Sequence, residues 1–189
     1  KTIDAVLFTH HHADHTCGIP DIRSYTKHHP LDFYGSEETI TNIQSAFQYI
    51  FNPGTFVGGG IPQLIAHSIE TPFELFGLPI IPVHVNHGNL RGCFGYRIGP
   101  VAYIPDLKSI DDTNLNKLKG VEVLILNCLR VAPEHPTHLI LSESITLARK
   151  VCPKQCYFIH MCHDIHYQTD SAALDSWMSF AYDGLKLEI

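Results

Sequence analysis

His10-His11-His12-Ala13-Asp14-His15 follows directly on Ile3-Asp4-Ala5-Val6-Leu7-Phe8-Thr9 and sets four metal-competent side chains at the end of a strand. The run from Ile3 to Phe8 is short, apolar and β-branched, the composition of a buried strand. Alternate residues of a strand share a face, so His10 and His12 project the same way while His11 and Ala13 point elsewhere. Asp14 and His15 are adjacent and cannot both continue that alternation. The chain must turn there, most simply into a helix beginning near Pro20 to Arg23. Two pairs of side chains are then aimed at one pocket. That division suits two neighbouring divalent ions better than one, with His10 and His12 on the first and Asp14 and His15 on the second. Imidazole and carboxylate together favour zinc, manganese or iron over calcium. An expression tag would carry neither the interposed aspartate nor a core strand ahead of it.

The spacing His-x-His-x-Asp-His resembles the signature of the metallo-β-lactamase superfamily, whose members are mostly binuclear hydrolases. Three further segments end in a metal-competent residue. Leu78-Pro79-Ile80-Ile81-Pro82-Val83-His84-Val85-Asn86-His87-Gly88 is similar to the family's third motif, which implies that His87 joins His10 and His12. Val101-Ala102-Tyr103-Ile104-Pro105-Asp106 ends in a carboxylate that resembles the aspartate bridging both ions, and Cys156-Tyr157-Phe158-Ile159-His160 ends in a match to the last ligand. The resemblance therefore implies a metal set of His10, His12, Asp14, His15, His87, Asp106 and His160.

His135-Pro136-Thr137-His138-Leu139, an amphipathic stretch to Lys150, Ile159-His160-Met161-Cys162-His163 and the closing Ala181-Tyr182-Asp183-Gly184-Leu185 narrow the resemblance. They are similar to the PhnP-type (phosphoribosyl cyclic phosphate) phosphodiesterase branch, over nearly the whole chain. In that branch the histidine matching His138 is not a metal ligand but serves acid/base chemistry beside the bimetal centre. His138 and Asp14 are the implied catalytic pair, and His135 remains an alternative to His138. The implied fold is an α/β, four-layer αβ/βα sandwich forming a single hydrolase domain over residues 1–189. Relatives carry opening strands ahead of the motif, often with a cysteine-rich structural zinc site. The expectation is thus an N-terminally truncated domain, since the strand from Ile3 to Phe8 would otherwise have a raw edge. Pro105 departs from the family, which usually has Thr or Ser before the bridging aspartate, and it removes one backbone donor there.

Composition agrees with a globular chain: 44% hydrophobic and 17% charged residues are ordinary values. Histidine is the outlier, with fourteen. No apolar run approaches the length of a membrane span, and no signal-peptide pattern opens the chain. Cys17, Cys93, Cys128, Cys152, Cys156 and Cys162 lack Cys-x-x-Cys spacing and read mostly as buried small residues of a reducing, cytoplasmic compartment. Of the remaining histidines, His28 and His29 read as solvated, His67 and His84 as strand residues off the site, and His163 as a support for His160.

Along the chain, strands and helices alternate. Asp32 to Gly35 reads as a strand, Ser36 opens a helix to about Phe51, and Asn52-Pro53-Gly54 ends it. Gly58-Gly59-Gly60 marks a flexible loop. Extended segments near Gln63 to Ser68, Phe73 to Phe76, Pro79 to Val85 and Gly95 to Ile98, leading to the Asp106 strand, suggest an antiparallel region. Asp111 to Leu118 and Ser142 to Val151 read as helices, Val121 to Asn127 as a buried strand, and Asp183-Gly184 as a hairpin turn before a last strand, Leu185 to Ile189.

The expected activity is hydrolysis of a small or cyclic phosphodiester through a hydroxide bridging two zinc or manganese ions. The net charge of −6 does not oppose this, because the ions dominate the local field and salt screens the distant surface. Arg23, Arg91 and Arg130 are candidate phosphate contacts and equally ordinary surface cations. A tRNA-processing endonuclease of the same superfamily is the alternative. Only 13 Lys and Arg stand against 19 Asp and Glu, without the basic cluster that a long polyanion needs, so extended nucleic-acid binding is not expected. A thioester or lactam hydrolase and a non-catalytic metal-binding module complete the alternatives. A homodimer is compatible with all of them.

Overall fold

The computed structural model describes residues 2–52, 54, 58 and 60–189. Pro53 of the expected helix terminator and Gly59 of the glycine run lie outside the described residues. The chain divides into two compact units, Lys1–Glu70 with Gly92–Phe94, and Thr71–Arg91 with Gly95–Ile189. Among the described residues, no helix is long and apolar enough to cross a membrane.

The first unit is built on three parallel strands, β1 (Ala5–Leu7), β2 (Leu31–Gly35) and β3 (Leu64–Ser68), in the order β1-β2-β3. Strand β2 alternates strictly. Leu31, Phe33 and Gly35 are buried, while Asp32 and Tyr34 take the other face. Phe33 packs with Phe8, Ile19, Ile40, Ile43 and Ile50 in one apolar cluster. After β1 the chain does not wait until Pro20 to coil. A short helix α1 (Ala13–Thr16) starts inside the histidine motif itself, and the expected helix further on is a 3-10 segment, Ile19–Ser24.

The helix expected to run unbroken to Phe51 is two helices, α2 (Glu37–Ala46) and α3 (Gln48–Phe51). Phe47 breaks them with φ −111° and ψ 40°, and its ring packs against the apolar cluster, so tertiary burial overrides continuation of the helix. Helix α2 starts where the sequence says it should. The Ser36 hydroxyl accepts from the Thr39 amide at 3.1 Å and donates to the Gly92 carbonyl at 2.7 Å. Gly92 sits at φ 64°, and a Cβ there would come within 2.4 Å of Ser36 Oγ, so the return of residues 92–94 onto this unit requires glycine.

The second unit holds seven strands in the order β10-β9-β8-β7-β6-β5-β4: β4 (Phe73–Leu75), β5 (Leu78–His84), β6 (Phe94–Ile98), β7 (Val101–Ile104), β8 (Val123–Asn127), β9 (Gln155–Ile159) and β10 (Met178–Phe180). The pairs β4–β5 and β6–β7 are antiparallel, as the hairpin-like spacing suggests, but β7, β8, β9 and β10 run parallel. Parallel pairing needs crossovers. Helix α4 (Asp112–Lys117) connects β7 to β8 and α5 (Leu141–Val151) connects β8 to β9, while α6 (Tyr167–Asp170) lies between β9 and β10.

The expected C-terminal hairpin is a correction. Leu185 to Ile189 forms no strand, and Asp183-Gly184 belongs to a turn closed by the Leu185 amide on the Tyr182 carbonyl at 3.1 Å. The last strand is β10, where Met178 and Phe180 are buried on either side of exposed Ser179. Alternation alone does not separate the two segments; burial does, since Ile189 is 64% exposed.

Ser36→Ala removes the α2 cap and leaves the Gly92 carbonyl without that donor. It should destabilise the protein by about 1–2 kcal/mol. Urea unfolding would show a lower midpoint at unchanged slope.

Candidate metal centre

In the first unit the motif histidines turn toward one another. His10 is fully buried; its Nδ1 lies 3.1 Å from Thr9 Oγ1 and its Nε2 3.0 Å from His12 Nδ1. The His10 and His15 rings approach to 4.2 Å between centroids, and His15 Nε2 lies 3.4 Å from Asp14 Oδ2. The turn is fixed by α1, whose first residues are held by the Thr16 hydroxyl on the His12 carbonyl at 2.9 Å and by the His15 amide on the same carbonyl at 3.0 Å. A helical turn puts Asp14 and His15 where extended chain could not, as the adjacency of two ligand types demands. His11 points elsewhere, and its Nδ1 is buried with no hydrogen-bond partner. Burial, with His12 next to it, lowers its pKa below the ordinary histidine value against the opposing pull of Glu38.

In the second unit everything converges on Asp106. Its carboxylate is only 2% exposed, two residues beyond β7. His87 Nε2 and His138 Nε2 lie 3.5 and 3.4 Å from Oδ2, and His160 Nε2 lies 3.3 Å from Oδ1. Because β7 and β9 run parallel within one sheet, Asp106 and His160 leave it at the same edge, the end where open α/β sheets bind their ligands. His160 itself sits at φ 60°, a conformation that costs a non-glycine residue energy and marks a position fixed by its surroundings.

Chemistry identifies what this arrangement can hold. His87 Nδ1 lies 2.8 Å from the Thr137 carbonyl, which can only accept, so the ring proton is on Nδ1. In its neutral form His87 turns the Nε2 lone pair toward a buried carboxylate oxygen. Lone pair and anion repel unless a cation lies between them. Three imidazole edges around one carboxylate also exceed what a single negative charge can neutralise as ion pairs. Nitrogen and carboxylate donors with no thiolate suit zinc or manganese, and a ligating histidine that donates its other N–H to a carbonyl is the usual support for such an ion. The residues present fit a divalent metal.

His138 is held from behind. Its Nδ1 lies 2.9 Å from Thr137 Oγ1 and 3.2 Å from His135 Nδ1, while its ring stacks on His160 at 4.9 Å. His135 is therefore on the far side of His138 from Asp106. The segment carrying both is pinned over the end of β8. Buried Asn127 accepts from the Leu139 amide through Oδ1 at 2.9 Å, and Ser144 Oγ donates to the Asn127 carbonyl at 2.7 Å. Gly88 lets Thr137 come close; a Cβ there would lie 2.6 Å from Thr137 Cγ2. Lys108 completes the frame, reaching Glu143 at 2.7 Å and Glu134 at 3.0 Å. Burial alone would lower the Lys108 pKa, but hydrogen bonds to both glutamates outweigh it and raise it.

Several expectations change. His163 does not support His160: its side chain is 93% exposed and lies 3.4 Å from Asp164. Arg130 is engaged with the Pro133 and Glu134 carbonyls at 2.8 and 3.2 Å. Arg23 lines a cavity of about 480 Å³ with Thr26, Lys27 and Gln63. Cys93, Cys128 and Cys156 are buried as expected, but Cys17 and Cys152 are exposed; all six cysteines are free. Burial pushes the Cys128 and Cys156 thiols up to about 12, which leaves them unreactive. Asn127 and Lys108 carry no motif signal; their only cue is proximity in sequence to a ligand or to a strand end, and Thr137, though inside the His135 to Leu139 segment, has no role of its own assigned there.

Comparison with known proteins places the chain. The family described as beta-lactamase superfamily domain matches residues 1–161. An octanoyltransferase of Porphyromonas gingivalis (strain ATCC BAA-308 / W83) is 30% identical over 186 residues, which are 98% of this chain and 38% of that protein. The chain thus spans less than half the length of that curated relative. The crystal structure of a diphosphatase of the PhnP family is 36% identical, with a TM-score of 0.89 over 100% of this chain and 72% of the other. The metallo-β-lactamase fold protein YhfI of Bacillus subtilis shares the fold at 20% identity, with a TM-score of 0.75 over 97% of this chain and 76% of the other. The chain belongs to the beta-lactamase superfamily and has the mixed α/β fold of its metallo-β-lactamase members.

Proposed function

We propose that this chain is a binuclear metal-dependent hydrolase that cleaves a small phosphodiester or phosphoanhydride. The observation that carries the reading is the buried Asp106 carboxylate with the Nε2 atoms of three histidines 3.3 to 3.5 Å away. In this reading the metal ligands are His10, His12, Asp14 and His15 of the first unit and His87, Asp106 and His160 of the second, with zinc or manganese as the metals. Bound there, such ions lower the pKa of water and polarise a phosphoryl oxygen.

The chain's own residues supply the rest. Thr137 supports a proton-transfer role for His138: a Thr137 hydroxyl donating to Nδ1 leaves the ring proton on Nε2, the nitrogen that faces Asp106. From Nε2 it can pass to a departing alkoxide or phosphate oxygen. What favours His138 over His135 is that His138 turns Nε2 toward Asp106, whereas His135 lies against Thr137 and the other nitrogen of His138. Asp14, whose side chain is 61% exposed beside His15, is open to an incoming ligand. Six free cysteines suit a reducing compartment such as the cytoplasm.

A phosphorus substrate is favoured by the 36% identical relative, a diphosphatase. A small one is favoured by charge, since 13 basic residues stand against 19 acidic ones. Acyl hydrolysis is the second reading, on the strength of the 30% identical octanoyltransferase, of which this chain matches 38%.

Turnover of bis(p-nitrophenyl) phosphate, inorganic diphosphate, p-nitrophenyl octanoate and a precursor tRNA, each with added manganese or zinc, separates these readings. The phosphorus substrates should be hydrolysed far faster than the ester and the tRNA left intact. Preferential cleavage of the ester would reverse the assignment. His138→Ala should lower kcat by about 10²–10⁴-fold while elemental analysis still finds two ions. Asp106→Ala should empty both positions and abolish turnover. Metal loss in the first variant and retention in the second would refute the roles given.

A further inference from the structure

We propose that Lys108 is a positioning residue for this site: its ammonium clips both ends of the segment bearing His138 to the strand end bearing Asp106. The inference rests on the proton-transfer role assigned above to His138. Lys108 lies two residues past Asp106, and its backbone amide donates to the Asn86 carbonyl at 2.6 Å, next to His87. Its Nζ donates to Glu143 Oε1 and Oε2 at 2.7 and 3.0 Å and lies 3.0 Å from Glu134 Oε1.

The two glutamates bracket His138. Glu134 lies four residues before it, on the turn that Arg130 holds through the Glu134 carbonyl at 3.2 Å. Glu143 lies five residues after it and accepts the Ile140 amide at 2.9 Å through Oε2, so it ties the chain leaving His138 to the start of α5. One cation therefore spans the entrance and the exit of the segment. Through its backbone it also touches the neighbour of His87.

Magnitudes decide what this arrangement is for. Glu134 is 73% exposed, and an ion pair so accessible to water contributes little to fold stability, while the Lys108–Glu143 pair, at 22% and 32%, contributes more. An error of an ångström in a group that transfers a proton can cost about a hundredfold in rate. The clip should therefore register in turnover far more than in melting temperature. A role in holding metal would register in metal content, and a general structural role in stability.

The test uses the metal-loaded protein with inorganic diphosphate, whose departing phosphate oxygen takes up a proton. Lys108→Met should lower kcat by about 10- to 100-fold with KM and metal content near their original values and the melting temperature only slightly lower, and Lys108→Arg should recover part of the loss. Glu134→Gln, on an exposed side chain that folding does not need, should give a smaller drop of the same kind. In a His138→Ala background Lys108→Met should have no further effect, because Lys108 acts through His138. Hydrogen exchange provides a readout free of activity: Lys108→Met should accelerate exchange of the Thr137, Leu139 and Ile140 amides and leave the interior of α5 unchanged. Unaltered exchange, or the same fold-loss with and without His138, would overturn the clip. A crippled His138→Ala beside an unimpaired Lys108→Met would overturn it alone, whereas a fully active His138→Ala would overturn it together with the role of His138.

Discussion

A carboxylate that is 2% exposed is the constraint around which the second unit is arranged. An ionised carboxyl cannot be taken out of water without compensation, and Asp106 meets its nearest candidates in three imidazoles rather than in Lys or Arg. The contact of His87 Nδ1 with the Thr137 carbonyl leaves Nε2, the nitrogen that faces Asp106, as the one available to a metal. A buried anion ringed by imidazoles rather than by Lys or Arg is a poor ion-pair network and a good cradle for divalent cations.

The scaffold serves that cradle through parallel pairing. Strands β7, β8 and β9 deliver Asp106, Asn127 and His160 at one edge of the sheet, and Asn127 turns its amide oxygen to the Leu139 amide, next to His138. The first unit solves a different local problem. Two ligand types adjacent in sequence, Asp14 and His15, face usefully only because α1 begins at Ala13, immediately after the extended stretch that aligns His10 and His12. A change of backbone period inside six residues lets one short motif offer two pairs of donors.

What was legible in the sequence was what is local. Strand runs that end in a donor, as at Ile104 before Asp106 and Ile159 before His160, lie where the pattern puts them, and so do the caps at Ser36 and Asp111. The break at Phe47 was not legible, because the apolar cluster that captures its ring draws on Phe8, Ile19 and Phe33, far earlier in the chain. The C-terminal strand was misplaced for a related reason: Asp183-Gly184 is a sound local turn signal, but β10 reaches β9 through a crossover that no dipeptide announces. Asn127 and Lys108 were silent because their partners Leu139 and Glu143 lie 12 and 35 residues away. Ligands carry a motif; the residues that hold ligands in place carry only geometry.

Anomalous diffraction recorded at the zinc and manganese edges from crystals grown without chelators tests the central claim most directly. Two peaks, with the Asp106 carboxylate in the coordination sphere and His87 and His160 among the ligands, are the predicted result. A single ion, or peaks that leave Asp106 outside the coordination sphere, would contradict the account.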